Sequence, residues 1–474
     1  MARTDPGRPR TPWSILFTLG IGTFMSALDG SVVNTILPIL RRVMGTQVET
    51  IEWVVTIYLL VVSGLLLTFG RLGDLHGHRR VYVFGFSIFV LGSILCALAP
   101  GERFLIGSRG FQALGAAMLF ANAPAILTGS SDPRQRGQAL GSLATMTYLG
   151  LTIGPSLGGW LAQHLGWRSV FAINVPVGVL ALVMSLRFLP DDQPASRRER
   201  FDLLGAALFL GGLVLLLLAL NQGHAWGWAS AVSLAALAGS AGLLAAFFRH
   251  ETRTSEPMLD LSLFRVPVFT LSTVSALLNY VCLFTVTFLL PFYLVEGRGM
   301  QPARAGLILT AQPLVMAIAA PLSGTLSDRI GTRGPATFGM AVLATGLYLL
   351  SRLGPDAGVS SIVGSLAVVG LGTGLFISPN NSALMGSAPR HRQGIASAIL
   401  ATARNVGMVL GIGVGGAIFT TVLGPHETTE GSALYRTTAI AFRVSMAIAI
   451  LGMLTSWRRN EREERVSARS ARHE

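Results

Sequence analysis

Asp29, in MSALDGSVVN, and Arg109, in SRGFQALGAA, are opposite charges set deep in runs of apolar residues. Of the 23 acidic residues, Asp29 is the one that lies far from any tail, loop or run end. A carboxylate at the middle of a membrane helix costs roughly 2.5–3.5 kcal/mol on insertion scales, so a functional role is expected of it. Counted from Trp13 at about 1.5 Å per residue, Asp29 lies about 24 Å along its helix. Arg109 lies roughly 9 Å into a helix running the other way. In an apolar core about 30 Å thick the two charges fall within one helical turn of the same height. Burial favours the neutral carboxyl and a nearby guanidinium favours the carboxylate, so parting and rejoining the two would load and release a proton. The alternative is a permanent bridge between two helices. Gln112 and Asn34 share faces with Arg109 and Asp29. Asn122, Asn279, Gln312, Asn380 and Arg404 are further polar groups within apolar runs, each a candidate cavity contact or a tie between helices. Glu52 and Glu296, near run ends, are the fallback proton carriers.

Two other groups of residues could do mechanical work. GRLGDLHGHRR, residues 70–80, packs Arg71, Asp74, Arg79 and Arg80 among Gly70, Gly73 and Gly77 between two apolar runs. The glycines allow a sharp turn and close packing, and Asp74 can face the positive N-terminus of another helix. In GPSLGGW, Pro155 bends a helix while Gly154, Gly158 and Gly159 give it a smooth face.

The elements that must position these groups are membrane helices. Of the 474 residues 51% are hydrophobic and 12% charged, with a mean hydropathy of +0.59, where soluble proteins carry about 25% charged residues. Apolar runs of about 20 residues mark spans. Fourteen are expected, near 13–38, 51–70, 81–99, 104–127, 137–163, 168–189, 203–222, 226–248, 268–295, 304–327, 335–353, 359–384, 394–423 and 437–457. The first run is too long for a cleaved leader and is expected to stay as a span. All 36 basic residues are arginine. They concentrate in the loops and tails on the side that holds both termini, which puts both termini in the cytoplasm. The net charge of +13 is then an orientation signal and a match to anionic lipid headgroups, and no nucleic-acid partner is expected. Without lysine there is no P-loop. No catalytic constellation, metal set or cofactor motif is present, and Cys96 and Cys282 lie in apolar runs of opposite halves. The chain is not expected to be an enzyme.

The chain also repeats itself. Gly70 and Asp74 return as Gly324 and Asp328, 254 positions later. Pro124 returns as Pro379, and Gly137 and Gly154 as Gly394 and Gly411. Six spans fill residues 1–189 and six more fill 261–457, with an inserted pair at 190–260 and a basic cytoplasmic tail at 458–474. The fold expected is all-α: two six-helix bundles plus two inserted helices.

Parallel six-span halves resemble the major facilitator superfamily. GRLGDLHGHRR resembles that superfamily's loop between its second and third spans. LDGSVVNTILP, RGFQALGAA and GPSLGGW resemble the signatures of its fourteen-span drug:H+ antiporters. The resemblance covers essentially the whole chain. It implies a bacterial inner-membrane, proton-driven exporter of hydrophobic drugs or antibiotics, expected to be monomeric, with Asp29 and Arg109 in proton coupling. The 70–80 loop would fasten the halves on the cytoplasmic side, and the Gly154–Pro155 motif would seal the outer side. Export of one endogenous lipid, siderophore or metabolite, and proton-coupled uptake, stand as alternatives.

Overall fold

A computed structural model describes residues 13–130, 136–190, 202–254, 261–388, 393–423 and 432–459. The expected inter-span segments at 131–135, 191–201, 255–260, 389–392 and 424–431 lie outside the described residues, as does the tail from 460. The first bundle comprises α1 (Trp13–Met44), α2 (Val48–Ile51), α3 (Trp53–His76), α4 (His78–Ala97), α5 (Glu102–Gly129), α6 (Arg136–His164), α7 (Ser169–Ala172) and α8 (Asn174–Phe188). The inserted pair is α9 (Leu203–Trp226) and α10 (Ala231–Glu251). The second bundle comprises α11 (Pro267–Phe292), α12 (Pro302–Leu309), α13 (Ala311–Ile330), α14 (Arg333–Ser351), α15 (Val359–Gly386), α16 (Gln393–Leu423) and α17 (Ser432–Trp457).

The short helices continue longer ones, α2 into α3, α7 into α8 and α12 into α13, so the described residues form fourteen rods. Thirteen are long and apolar enough to cross a membrane, and α6, 29 residues long with a more polar make-up, is the fourteenth. Local chemistry sets several ends. Ser230 Oγ accepts from Ser233 N and starts α10, while Pro267 and Pro302 open α11 and α12. Gly77 (φ 99°) and Gly331 (φ 90°) end α3 and α13 in conformations that L side chains rarely adopt. The charged segment at 70–80 is therefore less a loop than two helix ends meeting at one glycine.

The duplication is visible in packing. In the first half α1 lies on α6, and α5 on α3 and α4; in the second α11 lies on α16, and α15 on α13 and α14. Glycine contacts that no other residue could make are repeated. A Cβ on Gly115 would stand 2.5 Å from the Gly85 carbonyl, and one on Gly372 would stand 2.8 Å from that of Gly339. Small residues let helix backbones meet where lipid gives no hydrophobic drive to association.

The inserted pair stays outside. Helix α9 packs on α3 and α16, α10 packs on α9, and Trp228 Nε1 donates to Thr421 Oγ1 on α16 at 3.2 Å. Only 17% of the membrane-spanning window of α10 is buried, against 72% in α1.

Candidate functional site: a buried ion pair beside a central cavity

Rods α1, α3, α5 and α6 of the first half and α11, α12–α13, α15 and α16 of the second surround a cavity of about 180 Å³. Most of its wall is apolar, with Phe120, Leu283, Phe284, Met316 and Met408 prominent. Asn34, Gln312 and Arg404 also line it. The other four candidate cavity groups sit elsewhere, because their helix faces turn toward neighbouring helices. Gln112 joins the charge cluster described below. Asn122 donates to the carbonyls of Phe69 and Met118 and pairs with His78 Nδ1 at 2.7 Å. Asn279 donates to Met340 Sδ. Asn380 ties the Ser272 carbonyl to Arg459, whose Nη2 lies 2.5 Å from Asn380 Oδ1. Arg459 is itself a correction. Expected in a solvated tail, it folds back under the second bundle and is buried, where amide and hydroxyl acceptors replace its water.

Asp29 and Arg109 meet in the first half, both fully shielded, with Arg109 Nη1 2.5 Å from Asp29 Oδ2. The depth estimate from sequence holds because α1 and α5 run antiparallel at the same level. Arg109 Nη1 also donates to Gln112 Oε1 at 2.6 Å, and Nε donates to the Val54 carbonyl at 3.0 Å. Asp29 Oδ1 accepts from Gln112 Nε2 at 3.2 Å and from Asn174 Nδ2 at 2.7 Å. Gln112 Nε2 reaches Ser93 Oγ at 2.8 Å as well. The carboxylate is thus held by three donors from two helices, and one arginine nitrogen, Nη2, is buried without an acceptor. Sequence reasoning missed Asn174. Its signal was faint: one amide at the start of α8, where α7 and α8 meet at Ile173.

Tyr58 connects the pair to the cavity. Its ring lines the cavity on one side and supports the Arg109 guanidinium at 4.1 Å on the other. Ser26, Ala27 and Gly30, flanking Asp29 on α1, border the cavity too.

Among the described residues, polar contacts between the halves gather at the end opposite the termini. Arg41 Nη1 lies 2.6 Å from Glu296 Oε2, and Arg42 Nη2 reaches the Val295 carbonyl. Gln163 Oε1 accepts from the Ala303 backbone, and Ser156 Oγ and Thr310 Oγ1 are 2.5 Å apart. The Gly154–Pro155 motif sits here and faces both ways. Gly154 and Gly158 press against Ser31 and Val32 of α1, while Gly159 meets the Pro302 carbonyl and the Pro155 carbonyl meets Gly306 of α12. Glu52, at the joint of α2 and α3, is buried with its carboxylate against Gly416 of α16. It makes no side-chain cap bond to α3.

At the terminal end, Gly73 packs against Asn122 Oδ1 and His78 Nδ1, and Arg79 Nη2 donates to the Leu186 carbonyl at 2.7 Å. Gly70 makes only an ordinary contact with Ala121, and Arg80 is exposed. The side chains of Arg71, Asp74 and Asp328 lie outside the described residues.

A cavity between two repeated six-helix halves is a transporter's architecture, and comparison with known proteins agrees. The family model of the Major Facilitator Superfamily matches residues 19–302 and 272–474. The chain belongs to this superfamily. It is 36% identical over 400 residues to the riboflavin transporter RibZ of Clostridioides difficile, covering 84% of this chain and 86% of that one. It is 33% identical to the multidrug resistance protein Stp of Mycobacterium tuberculosis, covering 88% and 78%. The tetracenomycin C resistance and export protein of Streptomyces glaucescens is 30% identical, covering 87% and 77%. A crystal structure of a peptide transporter superposes with a TM-score of 0.71 at 18% identity, covering 98% and 97%, a likeness of fold. The protein is a multi-pass membrane transporter of this superfamily.

Proposed function

We propose that this transporter is a proton-coupled antiporter that exports hydrophobic drugs, antibiotics or related small molecules by alternating access. It would work as a monomer in a bacterial inner membrane, with both termini in the cytoplasm. The observation that carries the proposal is the shielded Asp29–Arg109 pair one side chain away from the cavity. With the termini inside, the sealed end faces out and the cavity belongs to an inward-facing state. Substrate entering from the cytoplasm or inner leaflet would press on Tyr58. A rocking of the halves that draws Arg109 from Asp29 would let the carboxylate take a proton, and its return would release it. The Gln112 and Asn174 amides would hold the carboxylate in place meanwhile.

Drug and antibiotic exporters among the relatives support this reading. The riboflavin-transporter relative supports a second one, carriage of a single heterocyclic metabolite. Inverted vesicles with an imposed pH gradient test both. The antiport reading expects proton-driven dye accumulation in the wild type and none in Asp29→Asn, which is nearly isosteric and fixed in a neutral state. Normal transport by Asp29→Asn would remove the proton role. Gradient-driven movement of riboflavin and of no drug would favour the second reading.

A further inference from the structure

Among the described residues, no carboxylate stands beside the Arg404 cation in the cavity. Arg404 stands on α16 at the cavity wall, against the Tyr280 hydroxyl, and its Nε is buried without an acceptor. None of the residues lining the cavity is acidic. The other membrane-embedded acids are engaged elsewhere. Asp29 is bound to Arg109, Glu296 to Arg41, and Glu52 is packed at the far end against Gly416. The remaining carboxylates of the chain lie in tails, in loops or near helix ends. Of the three arginines within spans, Arg109 is paired, Arg443 is exposed on α17, and Arg404 faces the cavity. Keeping an arginine in a membrane-enclosed cavity without a carboxylate is costly, and polar groups so placed mark substrate pathways.

We propose that Arg404 is the acid-recognising subsite of the cavity, and that the molecules carried are largely apolar ring systems bearing an anionic group such as a carboxylate or phenolate. This rests on the cavity being the substrate site of the exporter proposed above. A guanidinium suits such a group because its planar fork donates two parallel hydrogen bonds. Tyr280 holds the fork in place. From the other half, Asn34 Oδ1, buried and without a donor, offers an acceptor for a substrate hydroxyl or amine. Phe120, Phe284, Met316 and Met408 form the wall for the rings.

The test uses two dyes with the same ring system and opposite charge, fluorescein and tetramethylrhodamine methyl ester. Binding to the purified full chain in lipid nanodiscs is followed by fluorescence anisotropy. The wild type is expected to bind fluorescein about tenfold or more tightly than the cationic dye, as one charge-assisted contact gives. Arg404→Gln should erase that preference by weakening fluorescein alone, and Arg404→Lys should keep its sign. Absence of any preference in the wild type, or an equal loss for both dyes in a monodisperse Arg404→Gln, overturns the proposal and leaves Arg404 a packing residue. Should Arg404→Gln fail to fold, loss of the preference in Arg404→Lys overturns it too. The export reading is measured separately, by pH-driven dye efflux from proteoliposomes. A charge preference in binding without efflux sinks export and spares the subsite, while efflux of both dyes unchanged in Arg404→Gln does the reverse.

Discussion

The two halves share one frame and differ at a matching place beside the cavity. The backbone nitrogen of Val32 faces Gly154, and that of Thr285 faces Gly411. Three residues earlier on these helices stand Asp29 and Cys282. In the same way Gly92 faces Gln112 and Gly346 faces Val369, and three residues earlier stand Arg109 and Leu366. Where the first half buries an ion pair, the second buries a thiol and a leucine. Cys282 Sγ even donates across to α17, to the Ser445 carbonyl at 3.2 Å, as Asp29 is joined to Asn174 on α8. The glycine contacts are common to both halves and build the frame, whereas this ion pair occurs in one. A bundle of this shape closes without them. That weighs against a permanent structural bridge and supports the proton role proposed for Asp29.

Exchanging the residues at this place gives the largest expected effect. The double substitution Asp29→Cys with Arg109→Leu gives the first half the side chains of the second. Transport driven by a pH gradient should vanish, while the melting temperature in nanodiscs stays near that of the wild type. Arg109→Leu alone strands a buried carboxylate and should cost about 3–5 kcal/mol of stability. A double variant as unstable as this single one would return the pair to a structural role.

The glycines sharpen the other side of the comparison. Gly115→Val and Gly372→Val should damage the halves equally, because each Cβ would strike the facing backbone. Overpacking of this kind costs typically about 1–3 kcal/mol and more where backbone must move. The yield of monodisperse protein measures it, and a loss confined to one half would show that the frames are not equivalent.

The smallest effects are expected at the helix partners of the two sites. Asn174→Ala removes one donor to Asp29, and intramembrane hydrogen bonds of this type average about 0.6 kcal/mol, reaching about 1.7. Proton-driven transport should fall about three- to twentyfold, as the upper part of that range allows. Ser445→Ala should be silent, since Ser445 meets Cys282 through its main chain. Equal losses from both would mean that the two sites play the same role.

Much of this could be read without a structure, and what could not shares one cause. The apolar runs predicted fourteen rods close to where they lie, since each residue reports whether it faces lipid or water. Several ends were misplaced: α1 and α3, expected to end at 38 and 70, run on to Met44 and His76, and α10, expected from 226, starts at Ala231, because Gly227 (φ 86°) and Ser230 make a turn there. The repeat was legible because close helix approach leaves glycine no substitute. Asp29 and Arg109 could be paired from depth alone, because two buried charges at one height must find each other.

Rotation of the helices about their own axes was not legible. Asn279, Asn380 and Arg404 are alike in sequence, polar groups in apolar surroundings, yet two tie helices together and one faces the cavity. Asn174 reached Asp29 from the neighbouring α8, 145 positions along the chain, and Arg459 turned back from the chain's expected tail. Hydropathy is a property of one helix and its solvent, so the sequence by itself determined how many helices there are, where they run and which charges had to meet. Which face of each helix meets which neighbour depends on the joint packing of fourteen rods, with their glycine contacts satisfied together. Only the tertiary structure could decide which polar groups line the cavity and which are buried as ties.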